Sequence, residues 1–322
     1  MSAGPRRGAL KPSGGLLIAF SGGLGSSVLL DLVHKIYCAN VGSDELKGGK
    51  EHPRRNRVWK KIHVCYVETS DVFPEASRPL HPRFFVLFFT DSPGLHQTND
   101  RTAQIREAVA RYEGFEFIPV RIQDAFDRGW WERVSGGAAP SPAELPMDLD
   151  GEGLPHRFLD EPSESSKLLL DPGPIAALNA HLHSLPTQTA ILSTLSTLTR
   201  LLLLYTAYSI GASHLVLGTS LTSLSISLIS SISQGGGFVV PQAIQEEWIP
   251  PFVEHAPGAT SWRGEVRLIR PLRDVGMKEC TAWVWWHKLS VVGKQRVPIS
   301  ERTIGNLTKG SRSHLRTRDS IS

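Results

Sequence analysis

Runs of apolar residues of two different periods alternate along this chain. Leu16–Phe20 is a continuous apolar run of strand length, closed by Ser21-Gly22-Gly23-Leu24-Gly25. Ser26 to Val33 then continues as a helix that ends near Cys38. Lys61–Glu68 alternates and predicts a second strand. Arg101–Tyr112 carries Ile105, Ala108, Val109 and Tyr112 at helical spacing, and Phe115–Val120 predicts the strand after it. Ile175–Ser209 reads as a long helical region, interrupted at Pro186. His214–Leu217 is a short buried strand ending at Gly218. In Leu221–Ser233, Leu221, Leu224, Leu228 and Ile232 share one helical face, expected to be plain core, and Gly235-Gly236-Gly237 stops the helix. Val266–Ile269 predicts a last strand, and Lys278–Leu289 a last helix crowded with Trp283, Trp285 and Trp286.

The segments between are polar or broken. Asn40–Arg57 reads as a loop, and Val72–Arg83 is irregular because of Pro74, Pro79 and Pro82. Phe84–Phe89 reads either as a strand or as an erroneous stretch of gene model. Residues 135–174 are rich in Gly, Pro, Ser and acids and predict a flexible insertion. Strands alternating with helices predict an α/β fold: a Rossmann-like parallel sheet with helices on both faces. The expected layout is one domain over 1–300 and a polar tail at 301–322, disordered or truncated.

Composition narrows this only a little. Lys+Arg 35 against Asp+Glu 31 gives a net charge of +4 over 322 residues, too mild to mark a nucleic-acid binder alone. Cys38, Cys65 and Cys280 are odd in number and widely spaced, which excludes a zinc ribbon or a disulfide framework. The run Leu201–Leu204 is flanked by Arg200 and sits among Ser and Thr, so it predicts a buried helix and no membrane association. Leu16–Phe20 is too short for a signal peptide, and the expected location is the cytoplasm.

The chemistry concentrates in the first turn. A glycine loop between strand and helix lets backbone N–H groups at the helix N-terminus face an anion. Ser26 and Ser27 are expected to cap the helix and add hydroxyl donors. Yet Leu24 and Gly25 stand where a phosphate enzyme needs a cation and a carboxylate. Right-handed crossovers should bring this turn and the Gly218 turn to one carboxyl edge of the sheet.

Ser21, Gly22, Gly23 and Ser26 resemble the SGGxDS loop of the PP-loop ATP pyrophosphatases (adenine-nucleotide α-hydrolase type), with Leu24 and Gly25 departing from the usual Lys and Asp. Leu217–Ser230 with Gln234-Gly235-Gly236-Gly237-Phe238 resembles the cytoplasmic tRNA 2-thiolation protein 2 family, as does Arg270-Pro271-Leu272-Arg273-Asp274 with Lys278-Glu279. Thr219, Leu221 and Thr222 occupy places where catalytic relatives have a His and acids. The chain also departs from that family at both ends, starting near its first strand and lacking a final strand and helix after Ser300.

The resemblance implies a non-catalytic or weakly catalytic subunit of the complex that 2-thiolates the wobble uridine of tRNAs for Lys, Glu and Gln. Its implied partners are a catalytic PP-loop thiolase subunit in a heterodimer, tRNA, and the pathway of a ubiquitin-related sulfur carrier. No catalytic residue and no metal ligand is assigned to this chain. Ser21, Gly22, Gly23 and Ser26 form a degenerate phosphate loop; ATP is not required and binds weakly if it binds. The rival is an autonomous PP-loop ATP pyrophosphatase acting on a small molecule.

The remaining candidates favour packing. Cys65 in a strand and Cys280 on a helix are expected as buried filler, and no cysteine pair exists to resolve a sulfur intermediate. His181 and His183 sit at i and i+2 on a helix and point to different faces. Trp283, Trp285 and Trp286 beside Lys288 either pack or stack on RNA bases, with packing favoured. Arg54, Arg55, Arg57, Lys60 and Lys61 form the sharpest basic cluster, either a tRNA contact or a solvated loop.

Overall fold

The computed structural model describes residues 14–38, 59, 61–70, 100–135, 173–233, 240, 244–249 and 266–293. The expectations for 40–57, 72–83, 84–89, the interior of the 135–174 insertion and the 301–322 tail lie outside them, as does the basic cluster except Lys61, which is exposed.

Six strands form one sheet in the order β3-β2-β1-β4-β6-β5. They are β1 (Gly15–Ala19), β2 (Ile62–Glu68), β3 (Phe115–Arg121), β4 (Ala212–Leu217), β5 (Glu247–Trp248) and β6 (Arg267–Ile269). Every pairing is parallel except β5 with β6. The expected parallel sheet is thus present, with β5 as an added antiparallel edge strand; its two residues, Glu247 and Trp248, are too few to show a period in the sequence.

The central strand β1 reads Gly-Leu-Leu-Ile-Ala and sends its side chains to opposite faces in turn. Leu16 and Ile18 enter one core with Val64 and Tyr66 of β2. The helices α1 (Leu24–Tyr37), α2 (Thr102–Ala110) and α7 (Met277–His287) cover that core through Val28, Leu29, Val33, Ile105, Val109 and Cys280. Leu17 enters the other core with Cys65, Leu215 and Leu268. The helices α3 (Arg128–Ser135), α4 (Pro174–Ser184) and α5 (Gln188–Ser209) cover it, aided by a 3-10 turn at Ile122–Phe126. The two faces are thus filled by alternate residues of the same strands, so a one-residue slip would exchange the cores.

Helix α5 is the largest apolar element. Leu198, Leu201, Leu202 and Leu204 are fully buried, each contributing roughly 1.5–3 kcal/mol relative to exposure. By length and composition it could cross a bilayer, yet it packs along the sheet. Thr187 caps it, its Oγ1 accepting from Ala190 N at 3.2 Å, and the break expected at Pro186 falls between α4 and α5. Pro174 opens α4 and Ser135 closes α3, so the two end residues of the expected insertion are helical.

Helix α6 (Leu221–Ser233) departs from expectation. Only Leu224 is buried on it; Leu221, Ile229 and Ile232 are exposed and Leu228 is half-buried. It touches α7, and with Leu224 alone buried its apolar stripe is not core.

Candidate functional site

Strand order places the site. The chain leaves β1 toward β2 and β3 on one side and returns on the other at β4. The crevice of an open α/β sheet lies where this order reverses, at the carboxyl ends of β1 and β4. The Ser21–Gly25 turn follows β1, and the Gly218 loop follows β4. The predicted meeting of these two turns at one sheet edge is what the structure shows.

The turn begins with Gly22, which has φ +71°. A side chain there would be strained by the left-handed backbone, and its Cβ would lie 2.5 Å from Ile105 Cδ1 and 3.1 Å from Gly293 O. Gly23 is the N-cap of α1, with extended backbone and no side-chain cap. Ser26 and Ser27 therefore do not cap the helix, which corrects the expectation. Both are buried in its first turn and donate their hydroxyls back to Gly23 O, at 2.9 and 3.1 Å. Ser21 is exposed, with its Oγ 3.3 Å from Ser26 Oγ. The four loop residues Ser21, Gly22, Gly23 and Ser26 are thus assembled in one turn.

The positions that would carry charge serve packing. Leu24 packs on the core beneath α1. Gly25 abuts the Gly218 loop so closely that a Cβ on it would fall 2.2 Å from Gly218 O. On the opposite side, Ser220 is buried, and its Oγ accepts from Ser223 N at 3.4 Å at the start of α6. Thr222 Oγ1 accepts from Met277 N at 3.2 Å, and Leu221 N donates to Val275 O at 2.9 Å. Thr222, standing where an acid would be expected, ties this loop to the start of α7.

A brace over the glycine turn was not legible in the sequence. Glu68, buried at the end of β2, accepts from Tyr66 Oη, Thr69 N, Ser70 N and Arg101 N at 2.8–2.9 Å. Burial and the Glu68 carboxylate push the Tyr66 phenol pKa up, so it remains a donor. The Arg101 guanidinium donates to Gly293 O at 3.2 Å and to Val292 O, and Gly293 N donates to Gly22 O at 2.8 Å. Three distant segments thereby hold the turn. An acid closing a strand was the only available sign of Glu68; nothing marked Val292 and Gly293.

Two of the three cysteines fill the core. Cys65 and Cys280 are fully buried, as expected; burial pushes the Cys65 thiol up to about 12 and raises that of Cys280. Cys38 is half-buried at the end of α1. His181 is buried and His183 exposed on α4, so the pair does point to different faces.

The tryptophans divide. Trp283 is half-buried and donates from Nε1 to the buried Asp31 Oδ2 at 2.8 Å. Lys35 Nζ lies 3.0 Å from the same oxygen and 5.1 Å from the Trp283 ring, so α7 is bolted to α1. Trp285 and Trp286 are 76% and 75% exposed and flank a cleft with Lys288 and Leu289.

No protein-family model matches this chain, and no curated protein matches it. Among solved structures it is similar to the U34-tRNA thiolase NcsA from Methanococcus maripaludis, solved with its [4Fe-4S] cluster. The sequences are 14% identical, the TM-score is 0.48, and the match covers 97% of this chain and 70% of the thiolase chain.

Proposed function

We propose that this chain is a scaffold subunit of a tRNA wobble-uridine 2-thiolation complex, built on a PP-loop fold whose nucleotide site no longer activates ATP. The observation that carries the reading is the use made of the charged positions. Leu24 packs half-buried against the core, Gly25 is backbone contact and Thr222 is a loop tie. Activating a uridine by adenylation needs cations placed where charge develops on the phosphates. Losing each charge-assisted contact forfeits about 1.5–3 kcal/mol. The resemblance of Leu217–Ser230 and of Arg270–Asp274 to the tRNA 2-thiolation protein 2 family supports the thiolation context.

In this reading a partner PP-loop subunit supplies the ATP site and the sulfur-handling cysteines, with sulfur coming from a ubiquitin-related carrier. This chain supplies a dimer surface and tRNA contacts, in the cytoplasm. Buried Cys65 and Cys280 fit that division, because a thiol that passes sulfur must be reachable and ionisable. The test is ATP–pyrophosphate exchange. The chain alone is expected to give background exchange with tRNA present, and to co-purify with a PP-loop protein that retains the loop lysine and aspartate. Robust exchange by the isolated chain would overturn the proposal and favour an autonomous ATP pyrophosphatase.

A further inference from the structure

Helix α7 has two dissimilar sides. Cys280, Trp283, Val284 and His287 recur at helical spacing and turn toward α1 and the core. Cys280 is fully buried, Trp283 is tied to Asp31, and His287 Nδ1 lies 2.9 Å from Lys35 Nζ. The helix is therefore held firmly from that side. Trp285 and Trp286 lie off this inner stripe. At 76% and 75% exposed, they are the most exposed large apolar side chains among the described residues.

The end of the helix shapes a cleft beside them. Lys288 is the C-cap, in the left-handed region at φ +51°, where glycine is the usual residue. Its N–H donates to Trp285 O at 3.3 Å, and Leu289 N–H donates to Val284 O at 3.0 Å, which folds the chain back on the last turn. An open cleft of about 580 Å³ results, lined by Val284, Trp285, Trp286, Lys288 and Leu289. The two indole rings are 6.3 Å apart between centroids, with their planes 60° apart. Rings at that angle do not sandwich one flat group; each offers its own face.

Charge narrows the occupant. Lys278 is seven residues before Trp285, on the same outer face, and both Lys278 and Lys288 are exposed. Cations beside the rings repel the ammonium ligands that aromatic cages take. They favour a ligand that joins flat apolar faces to negative charge. The sequence from Lys288 onward adds to this: residues 288–322 hold eight Lys and Arg against two acids, whereas the whole chain holds 35 against 31. The first 287 residues are thus net acidic, and the positive surplus of the chain begins at this cleft.

We propose that Trp285, Trp286 and Lys288 form a binding site for unpaired bases of a single-stranded nucleic acid. Each indole stacks on one base, and Lys288 pairs with a backbone phosphate. Aromatic faces beside cations that track the backbone hold single strands with little sequence preference. A duplex keeps its base faces stacked inside and does not fit. The inference is carried by this surface and does not depend on the thiolation reading.

The test is fluorescence anisotropy of a labelled, short single-stranded RNA of mixed sequence, titrated with the full chain. The wild type is expected to bind it more tightly than the same sequence in a duplex. Trp285→Ala and Trp286→Ala are each expected to weaken single-strand binding about tenfold, the loss of one stacked base, and Trp285→Phe to retain most of it. Lys288→Gln is expected to reduce the slope of log affinity against log salt by about 0.7, one phosphate contact. Both tryptophans are exposed, so replacing them leaves the core filled. Failure of the wild type to bind the single strand overturns the proposal. Equal affinity in wild type and both alanine variants also overturns it, and leaves the scaffold reading standing with RNA held elsewhere. A concentration-dependent dimer that both alanine variants disrupt, without RNA binding, overturns it too and gives this face to a second copy of the chain.

Discussion

Gly25 and Gly218 lie back to back at the carboxyl edge of the sheet. A Cβ on Gly25 would fall 2.2 Å from Gly218 O, and one on Gly218 would fall 2.6 Å from Ser26 Cα and 2.7 Å from Gly25 O. Two loops separated by almost two hundred residues therefore touch through backbone alone, and neither accepts a side chain.

That contact predicts the cost of filling it. Gly218→Ala and Gly25→Ala each push on backbone, which cannot swing aside as a side-chain end can. Each is expected to lower stability by about 1–3 kcal/mol, the range for overpacking a close contact. Gly173→Ala, where nothing lies within 4 Å of the added carbon, is expected to change it by less than about 1 kcal/mol. Urea unfolding midpoints of the three variants check this.

The bolt between α1 and α7 predicts a local effect. Trp283→Phe keeps the ring contact and removes the Nε1 donor to Asp31. The hydrogen bond to a charged acceptor is worth about 1.5–3 kcal/mol, and the lower end is expected because Lys35 still faces Asp31. Hydrogen exchange should accelerate in α7 (Met277–His287) while the β1 and β4 amides remain protected. Uniform acceleration across the sheet would contradict a bolt confined to that helix.

Buried histidines set a sign for pH. Burial holds His63, His181 and His214 below their ordinary pKa of 6.5. For His63 this outweighs the opposing pull of Glu116, with Lys61 adding to the lowering. For His214, Arg267 adds to burial and Glu247 opposes it. The unfolded chain then binds more protons than the folded one below 6.5, so stability is full above that pH and falls as pH drops through 6.5 toward the folded values. Unfolding free energies measured from pH 8 to pH 5 should decline only in the lower half of that range. His63→Gln should flatten the decline.

Thiol reactivity should follow burial. In the native chain Cys38 is expected to alkylate with iodoacetamide, whereas Cys65, held near 12, and the buried Cys280 should react only after denaturation. Peptide mass mapping before and after adding denaturant reads this out. Native labelling of Cys65 would contradict its place in the core.

The architecture was largely legible because its strands carry their own signatures. The run Leu16–Phe20, the alternation of Lys61–Glu68 and the glycines after β1 and β4 together imply the switch point. What escaped has physical reasons. Helix α3 is short, and its Trp130 and Trp131 are buried without a clear helical period. The α6 stripe is periodic, but period alone does not say whether a partner element lies against it; only Leu224 found one. The brace from Glu68 through Arg101 to Gly293 and Gly22 joins residues far apart in sequence, so no local pattern announces it. Arg270 reads as one basic residue among many until the fold buries it at the end of β6 and ties it to Gln245 O.

The central claim is that this chain supports wobble-uridine thiolation as a scaffold without using its own glycine turn for ATP activation. Mass spectrometry of tRNA nucleosides from cells lacking the chain, complemented with wild type or Ser21→Ala, tests it most directly. The account predicts that wobble 2-thiouridine disappears on deletion and returns equally with both forms. Normal thiolation after deletion, or failure of a stably folded Ser21→Ala form to restore it, would contradict the account.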